Sequence, residues 1–124
     1  METINFTTRV LGRQAADRLK ARKVTQTIRS ASSSIVAAII LQEVNAGDRV
    51  SVVLDGAHLG YAVLISMHVV SAEDLTPEDA KLGGFDNRFR LLMTLQRAGY
   101  RFKPIDKYRF FPMRFEWEEE LEKC

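Results

Sequence analysis

Val24-Thr25-Gln26-Thr27-Ile28-Arg29 is the stretch on which the fold turns. Its β-branched residues and its alternation read as a short strand. Immediately before it, Gly12 opens residues 13–21, whose spacing predicts a helix with Ala15, Ala16 and Leu19 turned inward. Further upstream, residues 5–11 have the content of another strand. Downstream, Ser32, Ser33 and Ser34 offer N-caps for a helix over residues 35–44. That helix is apolar nearly all round, so it should be buried or should meet a partner, a second copy of the chain included.

Asn45-Ala46-Gly47-Asp48 then reads as a turn, residues 49–54 as a strand, and Asp55-Gly56 as a second turn. Residues 60–70 form a long apolar run suited to a strand covered on both faces. Thr76-Pro77-Glu78 has the cap, proline and acid of a helix start, and Gly83-Gly84 stops that helix. Residues 87–97 predict an amphipathic helix with Phe89, Leu92, Met93 and Gln96 on one side, closed by Gly99. An aromatic-rich strand over 108–117 ends the series. Strands and helices without a repeating βαβ pattern predict an α+β fold, and 124 residues without linker or repeat predict one domain, 1–124.

Composition narrows the function classes. An apolar share of 46% and a charged share of 27% exclude a disordered chain. No apolar run approaches the roughly 20 residues that span a bilayer, so no membrane partner is expected. Met1-Glu2-Thr3-Ile4 lacks the basic and apolar regions of a secretory signal, and the single cysteine, Cys124, cannot form an internal disulfide. A cytoplasmic location is the expectation. The net charge is only +2, yet it is unevenly spread. Residues 1–29 carry seven bases against two acids, and residues 97–114 carry six against one, each net +5. Brought together, two such segments would make one positive face for a polyanion.

Three landmarks now stand in order: Thr25-Gln26-Thr27-Ile28-Arg29 after a basic helix, Gly47-Asp48-Arg49-Val50 opening a strand, and Ala80-Lys81-Leu82-Gly83-Gly84-Phe85 before a closing strand with Met113-Arg114-Phe115. Across nearly the whole chain they resemble the ASCH family, whose fold is similar to the PUA domain. The resemblance implies a small PUA-like mixed β-barrel, with helices packed against it and a cleft lined by the first helix, the Thr-x-Thr-Ile-Arg strand and nearby loops. It implies RNA or nucleosides as ligands. Some members are amidohydrolases acting on N4-acetylcytidine, and some are assigned ribonuclease activity.

The amidohydrolase pattern pairs a nucleophilic threonine with an activating lysine and a proton-handling glutamate. A hydroxyl is a weak nucleophile until a base removes its proton, and an amine leaves only when protonated. On this pattern the threonine is Thr27 and the arginine Arg29, but the lysine position falls on Val24, with Lys23 one residue early. In a strand a slip of one residue points a side chain to the other face. The glutamate position is Gly83, and Glu78, Asp79 and Asp86 are out of register. Binding is therefore expected ahead of hydrolysis, with Thr27 and a displaced Lys23 as the catalytic candidates should hydrolysis occur.

The expected RNA-contacting set is Arg9, Arg13, Lys23, Thr27, Arg29, Tyr100, Lys103, Lys107, Tyr108 and Arg109. Residues 100–111 interleave rings with positive charges, the mixture that stacks bases and neutralises phosphates. His58, expected in a hairpin loop, and His68, expected half-buried in a strand, lack a matching acidic cluster, so no metal is expected. No glycine-rich dinucleotide or phosphate loop is present, and no cofactor is expected.

Overall fold

The computed structural model describes residues 1–30, 33–99 and 109–119. In chain order these form β1 (Thr3–Phe6), α1 (Thr8–Leu11), α2 (Arg13–Lys20), β2 (Gln26–Ser30), α3 (Ser34–Ile40), β3 (Arg49–Leu54), β4 (Ala57–Met67), β5 (Val70–Ser71), a 3-10 turn (Ala72–Asp74), α4 (Pro77–Leu82), α5 (Arg88–Arg97) and β6 (Arg109–Trp117). The sheet runs β1-β3-β4-β6-β2, with β5 also paired to β6. Among the described strands only β1 and β3 pair in parallel; the other pairings are antiparallel. The sheet curls into a half-barrel with five helices around it, an α+β architecture. β1 and β2 are its two ends, and no described strand closes the seam between them.

Alternation along β6 divides the interior. Phe111, Met113 and Phe115 join Ile4, Phe6, Leu19, Val36, Val52 and Leu64 inside the half-barrel. Phe110 faces the other way, packing with Ala15, Leu75, Phe85, Leu91 and Leu95 beneath α4 and α5. Neighbouring residues on one strand thus serve two cores, as a period of two requires.

Four local expectations are corrected. Residues 5–11 are not one strand: β1 stops at Phe6 and Thr8 opens α1. The cause is remote in sequence, because the Asp55 carboxylate accepts the Thr8 N–H at 2.9 Å and the Thr8 hydroxyl. An anion at a helix start satisfies donors that have no partner within the helix. The predicted 35–44 helix ends at Ile40, where Gln42 adopts φ 62° and Glu43 N–H returns to the Ala38 carbonyl at 2.8 Å. That is a Schellman ending. α3 buries Ile35, Val36 and Ala38, and its exposed large apolar residues are Ile40 and, just past its end, Leu41.

β4 is covered on one face, not two: Ala62 and Leu64 are buried while Ile65 is exposed, as is Val69 beyond the strand's end. It also starts at Ala57, placing His58 within the strand, and His68 lies exposed beyond its end. On α5 the buried side is Leu91, Thr94 and Leu95, and Phe89 is 66% exposed. Arginines at both ends set that rotation. Arg88 donates to the Leu75 and Ala72 carbonyls at 2.7 and 3.2 Å, and Arg97 donates to Val10 and Leu11 carbonyls at 2.9 and 3.4 Å. A charged residue that ties down backbone counts as an inward position, which a purely apolar count misses.

Candidate functional site

At the end of the sheet, β2 has β6 on one side and no described strand on the other. A cavity of about 230 Å³ lies along that open edge. Asn5, Phe6 and Thr7 border it from β1, Val10 and Leu11 from α1, and Leu91, Thr94, Leu95 and Ala98 from α5 and its end. β2 contributes residues from both of its faces, Thr27 and Arg29 on one and Gln26 and Ile28 on the other. That is what a cavity along a strand's edge, and not across its face, requires.

Thr27 is 7% exposed, and its hydroxyl oxygen accepts the Arg29 Nε–H at 2.9 Å. The same guanidinium crosses the seam, donating through Nη2 to the Asn5 carbonyl at 2.7 Å and lying 4.9 Å from the Phe6 ring centroid. One arginine therefore joins the two ends of the open sheet and supplies positive charge to the cavity wall. With its oxygen engaged as acceptor, the Thr27 hydroxyl keeps a proton to donate.

Beneath the cavity lies a second polar cluster. Gln26, 1% exposed, donates from Nε2 to Asp79 at 2.9 Å and accepts from Arg114 Nε at 3.3 Å. Asp79 also closes the α4 capping box with Thr76. Burial raises the Asp79 carboxyl, but hydrogen bonds from Gln26, the Thr76 backbone and the Thr76 hydroxyl outweigh it, and His68 adds to them, so the group sits below its ordinary value. This cluster holds β2 to α4, and the Thr25 N–H to Leu82 carbonyl bond, 2.9 Å, does the same. Gly84 permits the approach: it has φ +91°, and a Cβ there would stand 2.7 Å from Val24 Cγ2.

The candidate residues named from the sequence scatter. Thr27 and Arg29 border the cavity together. Lys23 is exposed in the turn after α2 and is not among the residues bordering it. Arg9 and Arg13 are exposed on α1 and at the start of α2, and Arg109 is exposed where β6 begins. Tyr100, Lys103, Lys107 and Tyr108 lie outside the described residues. Gly83, where the amidohydrolase pattern carries its glutamate, does border the cavity. A Cβ there would lie 3.3 Å from the Phe85 ring. Among the described residues bordering the cavity there is no lysine, histidine or carboxylate. No group of three metal-ligating side chains assembles among the described residues.

Sequence reasoning missed Asn5, Thr7, Val10 and Leu11, because α1 was read as strand. It missed Phe85, Leu91 and Leu95 as cavity walls because an apolar residue gives no sign of whether it faces core or cleft. The alternation of β2 was the available signal for Gln26 and Ile28.

No helix among the described residues is long and apolar enough to cross a membrane. No protein-family profile matches the chain, and no curated protein matches it. Solved structures do. The crystal structure of hypothetical protein PH0355 is 16% identical, with a TM-score of 0.57 over 95% of this chain and 100% of that one. Protein EF3133 from Enterococcus faecalis V583, of family DUF984, is 14% identical, with a TM-score of 0.55 over 100% of this chain and 87% of that one. An ASCH domain from Lactobacillus crispatus JV V101 is 9% identical, with a TM-score of 0.57 over 91% of this chain and 79% of that one. The half-barrel with its open β1–β2 seam is thus an ASCH-like, PUA-like fold.

Proposed function

We propose that this chain is a single-domain, cytoplasmic RNA- or nucleoside-binding protein whose open-edge cavity holds one base. The observation that carries the reading is the pairing of Thr27 and Arg29 against apolar walls in a cavity of about 230 Å³. Pockets for drug-sized ligands occupy roughly 300–1,000 Å³, so this one suits a base or nucleoside and not a folded RNA element. A base fits the mixture: apolar walls accept its faces, and a hydroxyl and a guanidinium meet its edge. Exposed Arg9, Arg13 and Arg109 would meet the phosphates of a longer strand.

Binding is favoured over the N4-acetylcytidine amidohydrolase or ribonuclease alternative by the surroundings of Thr27. Its oxygen accepts from Arg29, whose guanidinium stays protonated and cannot serve as a base. No described wall residue supplies another. Calorimetric titration with nucleosides and short single-stranded RNAs tests the reading. RNA affinity should fall steeply between about 50 and 200 mM salt, while that of an uncharged nucleoside should not. Absence of binding by both at low salt overturns the proposal, and release of acetate from N4-acetylcytidine that is abolished by Thr27→Ala overturns the ranking.

A further inference from the structure

The cavity contains one recognition element that no side chain supplies. On an antiparallel strand, the N–H and C=O of each residue point to the same side, and the side alternates along the chain. Phe115 N–H bonds to the Thr25 carbonyl at 2.9 Å, so that carbonyl points to β6, and by alternation Thr27 and Arg29 within β2 turn their backbone groups the same way. Ile28 stands opposite Pro112, which has no N–H, and the Pro112 carbonyl accepts from His68 N–H on the far side at 3.3 Å. The N–H and C=O of Ile28 therefore point away from β6, toward the open edge that borders the cavity. No described strand pairs with them.

An open strand edge invites either an added peptide strand or a small ring that mimics one. The length available decides between them. At one end the Thr25 N–H is already taken by the Leu82 carbonyl, and at the other the Ser30 carbonyl accepts from Ser33 N–H at 3.0 Å. Between these points, Arg29 crosses the seam to Asn5. A peptide strand would need to lie about 4.8 Å from β2 over several residues, and would have to expel that guanidinium. A single planar ring needs only the Ile28 pair.

We infer that Ile28 N–H and C=O read the imide edge of a uracil-type base, resting on the base-binding reading above. An imide presents two carbonyl acceptors flanking one N–H donor. The Ile28 N–H meets one carbonyl, the Ile28 C=O meets the ring N–H, and the Thr27 hydroxyl and Arg29 guanidinium lie on the same strand as donors toward the second carbonyl. Cytosine sets an amino group where these donors require an acceptor. Adjacent donors and acceptors left unpaired in a dry site discriminate strongly.

The test is titration of the full chain with uridine, 3-methyluridine and cytidine, followed by protein NMR. Uridine should bind about tenfold more tightly than either of the others, since methylation removes the N–H and cytosine exchanges donor and acceptor at the ring nitrogen and its neighbouring exocyclic group. Ile28→Pro deletes the backbone donor while leaving the ladder to β6 intact; it should cost uridine about tenfold and leave cytidine unchanged, whereas Ile28→Val should retain the preference. Should Ile28→Pro fail to fold, the 3-methyluridine comparison on the native chain decides alone. Equal affinity for all three nucleosides overturns the imide assignment and leaves base binding standing. No affinity for any of them, nor for a short RNA, overturns both.

Discussion

Two arginine–aromatic contacts on this molecule look alike and sit in opposite circumstances. Arg49 lies 3.6 Å from the Tyr61 ring centroid and pairs with Glu118 at 2.9 Å, on strands β3 and β4, each of which has a paired neighbour on both sides. His58 lies tilted against Tyr61, ring centroids 4.6 Å apart, and meets the Ser51 hydroxyl at 2.8 Å, so the outer face of β3 and β4 is occupied by its own contacts. Arg29 and Phe6 make the same kind of contact across a seam that no described strand closes, with a cavity beside it. The difference is backbone pairing. Where a strand is paired on both sides, charged and aromatic residues serve the surface; where one edge has no described partner strand, the same chemistry borders a cavity.

The largest effect should come from closing the approach that shapes the open side. Gly84→Ala forces a Cβ against Val24 in a left-handed backbone conformation, and should destabilise the chain by about 2–4 kcal/mol, read from urea unfolding midpoints. A loss under about 0.5 kcal/mol would mean that the contact between α4 and β2 yields freely.

Next, Arg29→Ala should weaken nucleoside binding at least about tenfold, through loss of a charged donor beside the base. Arg49→Ala should leave affinity within about twofold, because neither it nor its ring partner borders the cavity beside β2. Equal losses at the two arginines would erase the contrast between the regions. Arg97 is no neutral control, since it carries the Val10 and Leu11 carbonyls of the cavity wall.

Acid should act on the open side through Asp79, whose carboxyl is held below its ordinary value. Because the folded group binds its proton less readily than the unfolded one, the stabilisation is complete above the unfolded carboxylate range and is lost as pH falls through the folded value. Asp79→Asn should therefore flatten part of the stability loss below about pH 4. Asp55 and Asp86, held down by Thr8 and Arg18 respectively, act in the same direction, so a residual acid dependence should persist. An unchanged acid limb in Asp79→Asn would assign the whole dependence to those exposed groups.

The smallest effect belongs to the closed side: Arg49→Ala should cost about 0.5–1 kcal/mol, as exposed ion pairs and ring contacts do. A loss of several kcal/mol there would show that the outer face carries the fold.

Much of the architecture was legible along the chain. Thr76-Pro77-Glu78, Asp55-Gly56 and the alternation of 24–29 are local signals, set by backbone sterics and capping within a few residues, and a helix, a turn and a strand formed there. Thr27 and Arg29 were likewise recognisable as neighbours on one strand face, since a period of two is a property of the strand itself. What required the folded molecule was everything that depends on remote partners. Asp55 turned residues 8–11 into a helix from 47 positions away, and Arg88 and Arg97 set the rotation of α5. Among the described residues, β2 keeps an edge without a partner strand because β1 pairs with β3 instead. Local chemistry specifies which groups a segment can offer; which of them stay unpaired is decided by where distant strands go.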